Sequence, residues 1–114
     1  MDALGINRVL VLGRVGKYGV ILRQQGADCA SFVLNIPECG RDGQIYTTRV
    51  PIEVWGKHAQ EATRLGAGQW VLVEGRMRKR KRPDEEWELC ISAFEAVPVG
   101  PVTKGGDPRQ PSLF

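Results

Sequence analysis

Arg76, Arg78, Lys79, Arg80, Lys81 and Arg82 place six of the chain's sixteen lysines and arginines within seven consecutive positions. On a chain whose net charge is only +3, so dense a run of fixed charge suits a polyanion better than a single anionic group. Taken alone, the run also reads as a solvated loop. Side chains alternate along an extended backbone, so Arg76, Arg78, Arg80 and Arg82 share one face while Lys79 and Lys81 take the other. The arginines then recur about every 7 Å, at about 3.3 Å per residue, near the phosphate repeat of an extended strand. Arg14, Lys17 and Arg23 flank an earlier turn and extend the track, with Lys57 a weaker addition.

Aromatic side chains supply the other half of that chemistry. Trp55 ends an alternating run in which Tyr46, Thr48, Val50, Ile52 and Val54 form a core-like face. Thr47, Arg49, Pro51, Glu53 and Trp55 form the solvent-facing one. A tryptophan there has no core to fill. Stacking on a nucleobase, which contributes about 1–3 kcal/mol per contact, is one use for it; a subunit contact or a plug at the end of the core is another. Trp87 follows the basic run and either stacks a base or pins a hairpin. Trp70 opens a strand and reads as core at its edge.

Catalytic chemistry has little support. Asp84, Glu85 and Glu86 are adjacent in a turn rather than set across a cleft, and His58 has no nucleophile motif near it. Gly13-x-x-Gly16 lacks the Lys-Ser/Thr of a phosphate loop. Cys29, Cys39 and Cys90 are an odd number without C-x-x-C spacing, which reads as free thiols in a reducing compartment and not as a zinc site. The expectation is a binding protein, not an enzyme, without cofactor or metal.

These side chains need strands to hold them. At 114 residues, with 42% hydrophobic and 25% charged residues, the chain has room for one ordinary core. Period-two patterning marks strands over 7–15, 29–36 (stopped by Pro37 and a Gly40–Gly43 turn), 45–55, 70–77 and 87–97. Residues 57–65 read as the one helix, with Gly66 at its C-terminal cap. The basic run and Pro83–Glu86 make a hairpin tip. Three strands, a short helix and two strands is the element order of an all-β, five-stranded OB-fold barrel with one short helix between strands three and four. Such a barrel needs bends or bulges at its in-strand glycines, here Gly13 and Gly75. Another small α+β sheet shares the order.

Residues 1–97 form the expected OB-fold nucleic-acid-binding domain, and 98–114, with four of the seven prolines, a flexible tail. No run approaches 18 apolar residues, so no membrane contact is expected. Met1–Leu4 has no basic-then-apolar signal, which makes the cytoplasm the expected location.

Gly5–Gly13 (GINRVLVLG), Val54–Lys57 (VWGK) and Gly68–Arg78 (GQWVLVEGRMR) resemble, in order, segments of the bacterial single-stranded DNA-binding protein family over about residues 5–97. The resemblance implies sequence-tolerant binding of single-stranded DNA in replication, recombination or repair, by base stacking and phosphate contacts. Of the family's stacking positions, Trp55 remains aromatic, the one six residues earlier is Arg49, and the others fall near Gly40 and at Arg82. Two have become arginine, whose plane also stacks on bases, so binding should be more electrostatic and more salt-sensitive than the family norm. Cys29–Leu34 and Val50–Val54 also look like strands of primosomal replication protein N, a dimeric relative. That leaves open an adaptor whose barrel mainly contacts replication proteins. RNA as ligand is open too.

The family implies a homodimer or homotetramer, and the Val9–Leu12 run, apolar on both faces, suits either a subunit interface or a strand covered by the helix. It also implies a tail that recruits replication proteins. Here Gln110, Leu113 and Phe114, in Gln110–Phe114 (QPSLF), resemble the pentapeptide that docks on the sliding clamp, with Pro111 a departure. The alternative is an ordinary tail ending in two apolar residues.

Overall fold

A computed structural model of the chain describes residues 4–24 and 26–100. Its strands are β1 (Val9–Val15), β2 (Ile21–Arg23), β3 (Cys29–Cys39), β4 (Ile45–Trp55), β5 (Trp70–Lys81) and β6 (Trp87–Pro98), with α1 (Lys57–Ala62) between β4 and β5. The sheet runs β1-β5-β6-β4-β3-β2, and β1 also pairs with β3 through Arg14↔Asn35 and Val15↔Leu34. That second pairing closes β1, β5, β6, β4 and β3 into a barrel, and closure removes most of the exposed strand edge. The short β2 adds only a hairpin on β3, through Ile21↔Ser31 to Arg23↔Cys29. Every pairing is antiparallel except β4–β6, which run parallel through Ile52↔Ile91 to Val54↔Ala93.

Inward positions make the core. Val15, Ala30, Phe32, Leu34, Ile52, Val54, Val71, Val73 and Ile91 fill the barrel, and Ala59, Ala62 and Leu65 plug it from the α1 side. Full burial of a Leu, Ile, Val or Phe contributes about 1.5–3 kcal/mol, so these side chains set which face of each strand points outward. The sheet bends where two glycines let backbones approach. A Cβ on Gly13 would lie 2.5 Å from the Asn35 carbonyl oxygen, and one on Gly75 would strike the Ser92 carbonyl. Gly75 also falls at the one register shift between β5 and β6.

Four boundaries differ from expectation. Pro37 does not stop β3, which continues to Cys39 with Pro37 opposite Thr47. Beyond Asn35 the other edge of β3 has no partner strand among the described residues, so the missing N–H breaks no ladder there. The basic run belongs to β5, opposite Trp87–Cys90, and only residues beyond Lys81 turn. The helix stops at Ala62, not at Leu65. Thr63 Oγ1 donates to the Gln60 carbonyl at 2.5 Å, and the Leu65 N–H to the Ala62 carbonyl at 3.0 Å, a tighter turn that drops Leu65 into the core. At the start of β1, the side chain of Asn7 replaces backbone pairing: it donates to the Met77 carbonyl at 2.7 Å and accepts the Met77 N–H at 2.8 Å.

Candidate nucleic-acid interface

The β3–β4 ribbon and the β5–β6 hairpin both extend past the core, and their outer faces carry the candidate residues. Two grooves result. Arg23, Cys29, Ser31, Glu53, Arg78–Pro83, Trp87 and Glu88 line the one at the hairpin. Arg14, Lys17, Asn35, Arg49, Gly68 and Trp70 line the other, where β1 meets β3.

In the hairpin groove the alternation is visible in the contacts. Arg78 and Arg80 both reach Glu53, at 3.5 and 3.0 Å, while Lys79 and Lys81 lie over the Trp87 ring, 5.2 and 5.6 Å from its centroid. Arg78 and Arg80 are therefore paired within the fold. Arg80 also holds Glu88 at 3.2 Å, Arg82 holds Asp84 at 2.7 Å and Lys81 holds Glu85 at 3.0 Å. Burial would lower the Arg80 guanidinium, but the hydrogen bonds to Glu53 and Glu88 outweigh it and hold it above its ordinary value. Of the six clustered cations, Arg76 and Lys79 have no carboxylate partner among the described residues. Asp84–Glu86, adjacent in sequence, fold back on the charges they follow: Arg82 donates its N–H to the Glu86 carbonyl, and Glu85 takes a φ of 69° to make the turn.

Below the groove sit two buried thiols. Burial pushes the Cys90 thiol up, the Glu53 carboxylate adds to it, and Arg80 opposes. Burial and Glu53 act the same way on Cys29, with Arg23 opposing. Trp55, 43% exposed, stands on this outer face opposite Cys29, which in turn faces Arg23 on β2. It borders the groove without lining it. Lys57 opens α1 and lines neither groove, and Arg76 lies exposed opposite Ser92.

Three residues sit where sequence parity misleads. Tyr46 shares the inward face of β4 but lies beyond the barrel, 54% exposed, with its hydroxyl donating to Asp42 and its ring against Gly40. Glu53, on the solvent-facing side, has a side chain only 12% exposed because the arginines cover it. Trp70 is not core; it faces outward with the Arg14 guanidinium 5.6 Å above its ring. Alternation along one strand cannot show what a neighbouring strand brings alongside. Gln110, Leu113 and Phe114 lie outside the described residues, while the first part of the expected tail is held on the barrel: β6 runs to Pro98 and the Val99 N–H donates to Trp70.

A closed five-stranded barrel with its helix between the third and fourth barrel strands, and with cations and indoles in two outer grooves, defines an OB-fold protein. The chain belongs to the single-strand binding protein family, whose model it matches over residues 6–93. It is similar in structure to a deletion mutant of the single-stranded DNA binding protein from Thermus aquaticus, with a TM-score of 0.68 at 17% identity. That similarity covers 92% of this chain but only 45% of the other, less than half the length of the relative. Among curated proteins none matches.

Proposed function

We propose that the protein binds single-stranded DNA in a sequence-tolerant way, in replication, recombination or repair, through phosphate contacts supplemented by base stacking. The observation that carries this reading is the pair of cation-lined outer grooves on a barrel of this family, one with Arg23, Lys79 and the exposed Trp87 ring, the other with Arg14, Lys17, Arg49 and Trp70. Stacking tolerates any base because every base has a π-face, and cations track the backbone whatever its sequence. The test is tryptophan fluorescence during titration with oligo-dT and with an equal-length duplex, at low and moderate salt. Quenching by the single strand, a steep salt slope and weak duplex binding are expected; no quenching and no mobility shift at low salt would refute the reading.

We assign residues 1–97 to DNA binding and Gln110, Leu113 and Phe114 to recruitment of a replication protein, the sliding clamp first among them. Phe114→Ala should abolish calorimetric heat with a clamp, and an intact chain that gives none removes the clamp as partner. The protein acts in the cytoplasm as a homodimer or homotetramer. Support for self-association lies in β1, which pairs with β5 from Val9 to Arg14 but with β3 only at Arg14 and Val15, so that among the described residues one edge of Val9–Gly13 has no partner strand, beside the exposed Leu10. α1 packs on β3 and β4. Sedimentation as a monomer at micromolar concentration would exclude the assembly.

A further inference from the structure

Four outer-face residues stand side by side across four strands. The registers Trp70↔Arg14, Arg14↔Asn35 and Asn35↔Arg49 set Trp70 on β5, Arg14 on β1, Asn35 on β3 and Arg49 on β4 in one cross-strand row. Directly opposed residues share a face, so at about 4.8 Å per strand the row spans about 14 Å. The Arg14 guanidinium covers the Trp70 ring, and its Nε donates to the Gly68 carbonyl at 3.0 Å, which holds the pair as a platform. Next in the row, Asn35 Oδ1 is buried and accepts no hydrogen bond from any described residue. A buried carbonyl oxygen without a donor is unfavourable, and a ligand seated in the groove would supply one. Lys17 completes the groove, and among the described residues no carboxylate lines it.

We propose that this row is a nucleotide subsite. The Trp70–Arg14 platform takes the face of a base, Asn35 Oδ1 accepts a hydrogen bond from the base edge, and Arg49 with Lys17 holds the adjoining phosphate. The inference rests on the single-strand reading above and sharpens it: this acid-free groove, not the basic hairpin, carries most of the salt-dependent affinity. A phosphate reaching Arg78 or Arg80 must displace Glu53 or Glu88, whereas at Arg49 and Lys17 it meets cations without a carboxylate partner among the described residues. Both sites can release counterions, but only the second does so without breaking an internal pair.

Three measurements on the full chain decide it. In Trp55→Phe/Trp87→Phe, Trp70 is the sole remaining tryptophan, and oligo-dT should quench it; a mobility shift with unchanged emission overturns the proposal. Arg49→Ala should weaken oligo-dT about tenfold and lower the salt slope by about 0.7, the increment of one phosphate contact on a single strand, while Arg78→Ala changes affinity less than about threefold. The reverse order overturns it. Asn35→Leu should weaken oligo-dT several-fold and leave an abasic strand of equal length unaffected; equal losses remove the base-edge role. Should these variants fail to fold, phenylglyoxal footprinting of the wild-type protein gives the answer without them. Saturating oligo-dT should protect Arg14 and Arg49, and unchanged modification of both overturns the subsite. A wild-type protein that shifts no single strand at low salt instead sinks the DNA-binding reading itself.

Discussion

The hairpin groove and the cross-strand row differ in what surrounds their cations. The hairpin has the denser charge in sequence, yet Arg78, Arg80, Lys81 and Arg82 each face a carboxylate within 4 Å in the fold. The row and its groove draw their cations from two separate stretches of chain, Arg14 with Lys17 on one and Arg49 on the other, and no carboxylate lines the groove among the described residues. Local charge density and available charge are therefore different quantities. The first is a property of adjacency in the chain, the second of what the sheet places opposite.

The glycines that seat each region should have the largest effect. Gly13→Ala pushes a Cβ into the Asn35 carbonyl, where β1 closes on β3, and Gly75→Ala pushes one into Ser92 at the root of the hairpin. Each should lower stability in urea titrations by about 3 kcal/mol, because backbone cannot yield as a side-chain tip does. The two should differ in function: Gly13→Ala separates Arg14 from Asn35 and weakens single-strand binding, while Gly75→Ala leaves the row intact. Equal losses of binding would erase the distinction between the regions.

Glu53→Gln comes next. It releases Arg78 and loosens Arg80, so affinity for oligo-dT should rise about threefold and the salt slope steepen by about 0.7, at a stability loss of about 1 kcal/mol after allowance for screening. Unchanged affinity would mean that the carboxylate orients the arginines rather than competing with DNA.

Thiol reactivity offers a readout of the hairpin groove without DNA. Cys39 is exposed and should react with maleimide within minutes at pH 7.5. Cys29 and Cys90 are buried with raised pKa values and should react only on unfolding. Fast labelling of Cys90 in the native protein would show that the Glu53–Arg80 cover opens readily.

The smallest effect lies at the tip of the β3–β4 ribbon, outside both grooves. The hydrogen bond from Tyr46, then that from the Gln44 N–H, holds the Asp42 carboxyl below its ordinary range, and the same bond pushes Tyr46 up. With its folded pKa depressed, Asp42 stabilises the ribbon above about pH 4 and loses that contribution as pH falls through the folded value. With its folded pKa raised, Tyr46 contributes fully below about pH 10 and loses it as pH rises through the folded value. Amide exchange of residues 40–46 should follow both limits, and Tyr46→Phe should abolish the upper one and flatten the lower.

Much of this was legible from the chain alone. Period-two patterning places all five barrel strands, since burial on one face demands alternation, and the short helix shows from Lys57, read to Leu65 where the fold ends it at Ala62. Even the separation of arginines from lysines along β5 follows from strand geometry. Strand ends were less legible: Pro37 reads as a stop, yet β3 passes through it, at an edge where no strand pairs among the described residues. Which side chains meet across strands depends on register, and register is set by core packing and barrel closure between segments as far apart as Arg14 and Trp70. Only the tertiary structure therefore decided that Glu53 would bind Arg78 and Arg80, that Trp70 would lie under Arg14, and that Asn35 would stand between two arginines. A sequence states which residues share a strand face; the partner across the ladder is chosen by the fold, because every inter-strand neighbour moves when the register shifts by a single residue.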